Sequence, residues 1–155
     1  MRQRSPKTRI EPVLTAHPTE PVARKAATLG FYLAALDIRQ NSQFHDAALS
    51  QLLKVAGIKD GKNFAEWPEE RRLSFLNEEL KTCRPFVRRG QGIGDEADAV
   101  LACYEVLREH MERFGRRGIG SLIVSMTRSQ SDLLVAYILA REAPISTGFQ
   151  ISLQQ

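Results

Sequence analysis

His17, Arg39 and the stretch from Ser125 to Arg128 are the positions where this chain could do chemistry. The run Val13-Leu14-Thr15-Ala16-His17-Pro18-Thr19-Glu20-Pro21 reads as an apolar strand that ends at a histidine and a proline, with Thr19 where a helix cap belongs. Threonine accepts from the free amides of a first helical turn, and Glu20 and Pro21 suit that turn. His17 is therefore expected at the carboxyl end of a strand, beside a helix N-terminus whose exposed amides favour anions. An imidazole there can serve as general acid or base near neutral pH, or donate to a phosphate. Its alternative role is to tie the strand end to a backbone carbonyl. Arg39 follows a second apolar run and could grip a phosphate or carboxylate bidentately, as Lys could not; otherwise it pairs with Asp37 or a neighbouring helix. Arg128, just beyond Met126-Thr127, is placed equally for ligand contact and for a helix-end or surface role.

These residues need elements to hold them, and hydrophobic periodicity supplies an order. Residues 19–29 read as a helix stopped by Gly30, and 31–38 as a strand buried on both faces, running into Asp37-Ile38-Arg39-Gln40. A helix over 44–55 closes at Gly57, and a polar loop over 57–65 turns at Asp60-Gly61. A third helix starts at Pro68, with Glu69 and Glu70 in its first turn and Leu73, Leu76 and Leu80 at helical spacing. The basic, glycine-bearing loop over 84–94 does not follow a strand and matches no phosphate-loop pattern, so it reads as a flexible turn. The next helix has the best stripe: Ala97, Val100, Leu101, Tyr104, Leu107, Met111 and Phe114, ended by Gly115. Residues 120–126 form a third buried strand, and Ser129 or Ser131 caps a last helix that Pro144 terminates. Strands alternating with helices indicate a parallel sheet with right-handed crossovers, and such sheets gather functional groups at the carboxyl ends of their strands. His17, Arg39 and Ser125–Arg128 then share one rim, suited to an anion.

Bulk properties fit one globular domain. Its 155 residues are 43% hydrophobic and 26% charged, and 22 basic against 18 acidic residues give a net charge of +4. That surplus is too small to choose between small anions and nucleic acid, and no aromatic residues interleave with Arg88-Arg89 or Arg116-Arg117 as a nucleic-acid surface would want. No apolar run approaches membrane-spanning length, and the basic segment 1–10 lacks a signal-peptide core, so the expectation is a cytoplasmic protein without membrane or nucleic-acid partners. Cys83 and Cys103 read as reduced thiols, and His45 and His110 as structural or exposed. No Asp, Glu or His group has metal-ligand spacing.

Thr15-Ala16-His17-Pro18-Thr19-Glu20 resembles the first active-site signature of the phosphoenolpyruvate carboxylase family. Leu36-Asp37-Ile38-Arg39-Gln40, followed by Ser42 and His45, is similar to its second block. The stretches Glu66-Trp67-Pro68-Glu69-Glu70-Arg71, Glu79-Leu80 and Arg84-Pro85 resemble the helical region after it. Ile123-Val124-Ser125-Met126-Thr127 with Ser131-Asp132-Leu133-Leu134 resembles the next strand and helix. The four blocks cover most of 11–143. The resemblance implies a helix-rich α/β fold, here a partial, about three-stranded parallel segment of a TIM-type barrel, with 144–155 unassigned. It also implies addition of bicarbonate to phosphoenolpyruvate, giving oxaloacetate and phosphate with Mg²⁺ or Mn²⁺. His17 would be catalytic at the carboxyphosphate, and Arg39 would hold the substrate phosphate; Arg128 is a substrate-binding candidate from its place beyond the third strand alone. The family places several hundred residues between its first two blocks and usually has arginine where Ala23 stands. Its later metal-binding acids, mobile loop and second signature have no counterpart here. The expectation is a C-terminally truncated, internally deleted barrel segment, inactive alone, whose open sheet edges invite self-association or a partner chain.

Overall fold

In the computed structural model the described residues are 35–88, 90–144 and 151–153. The first expected strand, the helix over 19–29 and His17 lie outside them. The elements run β1 (Leu36–Asn41), α1 (Ser42–Val55), a 3-10 helix (Gly61–Glu66), α2 (Glu69–Leu80), α3 (Asp95–Phe114), β2 (Ile119–Ser125), α4 (Gln130–Glu142) and β3 (Ile151–Leu153). The three strands form one parallel sheet in the order β1-β2-β3. Strand–helix alternation thus gives the expected helix-rich α/β architecture. The described strands form an open sheet and no closed barrel. β3 falls in the stretch left unassigned from sequence.

Each helix follows from its local chemistry. The Asn41 side chain caps α1 by accepting from Gln43 N at 2.8 Å, two residues earlier than the apolar pattern suggests. Gly57, at φ +73°, supplies the left-handed turn after α1. The expected polar loop turns at Asp60-Gly61 but then winds into the 3-10 helix, which seats Phe64 in the core. A Cβ on Gly61 would stand 2.5 Å from Leu53 Cβ, so only glycine lets this turn approach α1. Gln51 Oε1 accepts from Ala97 N at 3.0 Å at the start of α3.

The core is one cluster: Ala48, Leu49, Leu52 and Leu53 of α1, Val100, Tyr104 and Leu107 of α3, Val135, Ile138 and Leu139 of α4, and Leu122 of β2. Their three- and four-residue spacing turns one face of each helix inward. Most of the α3 stripe is buried as expected, but Phe114 at its end is exposed.

β1 corrects the expectation of a strand buried on both faces. It begins at Leu36, which is 72% exposed, and Arg39 is exposed while Ile38 is half-buried. Side chains alternate across a strand, and Ile38 pairs in register with buried Leu122 while Arg39 pairs with Ile123. The helices therefore cover the Ile38–Leu122 face, and the Arg39 face carries no described helix. No described helix is long and apolar enough to cross a membrane.

Candidate functional site: the carboxyl rim of the parallel strands

Parallel register brings Asn41 opposite Ser125, so β1 and β2 end side by side. Ser125 Oγ donates to Gln40 O at 3.1 Å, and Ser42 Oγ donates to Met126 O at 2.6 Å. These bonds hold Met126 at φ +55°, an uncommon conformation for a non-glycine residue. The expected adjacency of the two strand ends is observed.

Three helices begin at this end. α1 and α4 start where β1 and β2 stop, and α2 joins them through Glu69. Glu69 Oε1 accepts from Ser131 N at 3.0 Å, and Glu69 Oε2 accepts from the hydroxyls of Ser129 at 2.9 Å and Ser131 at 2.7 Å. This corrects the expected cap: neither serine side chain caps α4, because the α2 carboxylate reaches the free amide first. Burial raises the Glu69 carboxyl, but the bonds from Ser131 and Ser129 outweigh it and leave it below the ordinary range. The N-termini of α1, α2 and α4 thus converge, each with its dipole positive toward the rim.

Beneath the rim sits an ion cluster that the apolar pattern hid. Arg72 of α2 is buried and donates through one terminal nitrogen to Asp46 Oδ1 at 2.6 Å and to Asp132 Oδ1 at 3.2 Å. Arg128 donates to Asp46 Oδ2 at 2.5 Å and Asp132 Oδ1 at 3.0 Å, and its backbone N–H donates to Asp132 Oδ2 at 2.7 Å. Two cations and two anions alternate, so the cluster is neutral and each carboxylate is held from two sides. Burial pushes the Asp46 carboxyl up against the pull of both arginines. At Asp132 burial acts the same way, but the bonds from Arg128 win and the carboxyl lies low. The Arg128 guanidinium is raised further by Asp132 and Asp46. Arg72 shares a helix face with Leu76, one turn on, and that position inside an apolar stripe is the signal that could have exposed it.

Below the cluster, His45 and Tyr104 are fully buried, their rings 6.2 Å apart. Both His45 ring nitrogens and the Tyr104 hydroxyl lack a hydrogen-bond partner among the described residues. Burial lowers His45 from 6.5 to about 4, opposed by the charge on Asp132, so this histidine is neutral at pH 7.

The expected site residues now divide. Arg39 is exposed, near the end of β1, on the face that carries no described helix. Arg128 sits at the end of β2 with its side chain 44% exposed, while the same guanidinium braces α1 and α4. Asp37 does not act in a rim pair, since its Oδ1 accepts from Ser121 N at 2.9 Å at the other end of the strands. His17 lies outside the described residues. For the divalent cation that the resemblance implies, the described residues offer no group of three His, Cys, Asp or Glu. The nearest carboxylates, Asp46, Asp132 and Glu69, are already engaged by arginines and serines. They do not fit a metal.

Residues 21–154 match the family described as phosphoenolpyruvate carboxylase. The chain is 41% identical over 117 residues to the phosphoenolpyruvate carboxylase of Rhodothermus marinus, covering 76% of this chain and 12% of that protein. It is 36% identical over 135 residues to the enzyme of Paraburkholderia xenovorans, covering 87% and 13%. It is likewise 36% identical over 129 residues to that of Ectopseudomonas mendocina, covering 83% and 14%. The chain spans only about an eighth of these relatives. Coverage on this chain's side is extensive and takes in β1, α1, α2, α3, β2 and α4: the chain belongs to the phosphoenolpyruvate carboxylase family.

Proposed function

We propose that this chain supplies the substrate-phosphate part of a phosphoenolpyruvate carboxylase site, at the carboxyl rim of β1 and β2. The observation that supports this most is that β1 and β2 end side by side, with Arg39 near the end of one strand, Arg128 just beyond the other, and α1 and α4 beginning at that end. A phosphate there would meet the Arg39 guanidinium and the positive end of the α1 dipole. In the reaction that the family implies, a bicarbonate oxygen attacks the phosphorus of phosphoenolpyruvate. The enolate leaves and carboxyphosphate forms; decomposition to phosphate and CO₂ then lets the enolate carbon capture the CO₂ as oxaloacetate. Arg39 would hold the phosphoryl oxygens as charge redistributes, Arg128 would add only the half-exposed edge of a guanidinium already bound to Asp46 and Asp132 just beyond β2, and His17 would stabilise or deprotonate the carboxyphosphate. Mg²⁺ or Mn²⁺ belongs to the family's chemistry, but the described carboxylates at the rim are committed to arginines and serines.

The 155-residue chain alone is expected to bind phosphoenolpyruvate without turning it over. Calorimetric titration should show saturable binding that weakens about tenfold or more in Arg39→Gln, the loss of one charge-assisted bidentate contact. Binding unchanged in Arg39→Gln would overturn the assignment. Bicarbonate- and Mg²⁺-dependent phosphate release that disappears in His17→Ala would overturn the expectation of inactivity.

A second reading, docking of a partner chain, draws on the exposure of Leu36 at 72% and Met126 at 61% beside β1, a strand with no described neighbour on its outer side. A monodisperse monomer by light scattering at high concentration would count against it.

A further inference from the structure

The loop between α2 and α3, basic and glycine-bearing in sequence, forms one wall of a cavity of about 670 Å³. Val55 at the end of α1 and Arg141 and Glu142 at the end of α4 form the rest. These helices start at the carboxyl rim, so the cavity lies at the opposite end of the helical layer from Arg128. Its walls are fastened. Glu142 Oε2 accepts from Phe86 N at 2.8 Å, and Arg141 donates to Glu79 O at 2.7 Å and to Thr82 O at 3.3 Å. The Arg141 guanidinium also lies 4.8 Å from the Phe86 ring centre and pairs with Glu142 at 3.0 Å. Arg84 and Arg88 line the same cavity, are exposed, and form no ion pair with a described residue.

We propose that this cavity binds a small organic anion, with a phosphate or carboxylate head held by Arg84 and Arg88 and an apolar body against Phe86 and Val55. The volume lies within the range of about 300–1,000 Å³ usual for small-molecule sites, and a fastened wall makes the site largely preformed. Guanidinium pairs without partner carboxylates favour planar or tetrahedral oxyanions through bidentate bonds. Val55, Phe86 and Val87 favour an organic body over a bare ion. This site is separate from the rim, so its ligand and the rim's ligand can be bound together.

Phenyl phosphate titrated into the full ¹⁵N-labelled chain tests this. The expected result is saturable amide shifts at Phe86, Val87 and Gln91, with inorganic phosphate binding more weakly. Arg84→Gln/Arg88→Gln, both at exposed positions, should weaken phenyl phosphate about tenfold or more. Unchanged affinity in that variant, equal affinity for inorganic phosphate, or shifts confined to Ser42 and Ser125 would overturn the proposal. Cys83 is exposed and lines the cavity, which gives a second readout. In a Cys103→Ser background, saturating phenyl phosphate should slow iodoacetamide alkylation of Cys83; an unaltered rate would also overturn it.

Discussion

The two ends of α2 and α4 use arginine in opposite ways. These helices lie parallel, joined at their N-termini by Glu69 with Ser129 and Ser131, and at their C-termini by Arg141 with Glu79 O. At the N-terminal end, Arg72 and Arg128 are locked to Asp46 and Asp132 beneath the rim. At the C-terminal end, Arg84 and Arg88 stand at the mouth of an open cavity. The difference teaches that basic residues in this chain do not act as a class. A guanidinium held by buried carboxylates fixes where helices meet, whereas one facing solvent is available to a ligand and adds little to stability.

The contrast breaks first if Arg72 is dispensable. Arg72→Ala leaves two buried carboxylates with one cation between them, and should lower unfolding free energy by about 3–5 kcal/mol in urea titrations. A loss below about 1 kcal/mol would show that the cluster does not hold the rim together.

His45 sharpens the same region through pH. Its imidazole takes up a proton near 6.5 when unfolded but only near 4 when folded. Between those values the unfolded state binds more protons, so stability falls as pH drops through 6.5 and levels off below about 4. The full difference is about 3 kcal/mol. Urea midpoints measured from pH 7.5 to pH 4 should decline more steeply in the natural chain than in His45→Phe. Parallel slopes would contradict the assignment of a neutral, unpartnered imidazole.

Glu69→Ala removes the shared cap of α4 and should cost about 1–2 kcal/mol, read as a lower thermal midpoint. Smallest of all, Arg84→Gln/Arg88→Gln should shift stability by less than about 0.5 kcal/mol, since neither residue is buried or paired with a described carboxylate. A larger loss would make the cavity arginines structural and erase the contrast.

Much of this architecture was legible in the residues. The α3 stripe, Gly57, Asp60-Gly61 and the apolar run before Met126 are local signals, and local signals set where elements begin and end. The adjacency of Arg39's strand to Ser125 and Arg128 was also legible, because strand–helix alternation dictates a parallel sheet. What stayed hidden depends on partners distant in sequence. The pairing of Arg72 carried no sequence signal of its own, because its partners Asp46 and Asp132 lie 26 and 60 positions away. Glu69 looked like a first-turn acid of its own helix until it capped another. β1 read as doubly buried because composition cannot tell which face the described helices cover. The loop over 84–94 read as a turn because a cavity has no sequence pattern at all.

The central claim is that substrate phosphate belongs to the carboxyl rim and not to the cavity end. Titrating phosphoenolpyruvate into the ¹⁵N-labelled chain and mapping amide shifts tests it most directly. The account predicts saturable shifts at Ser42, Gln43, Ser125 and Thr127 that need about tenfold or more phosphoenolpyruvate in Arg39→Gln and are unchanged in Arg84→Gln/Arg88→Gln. Shifts centred on Phe86, Val87 and Gln91 that persist in Arg39→Gln would contradict it.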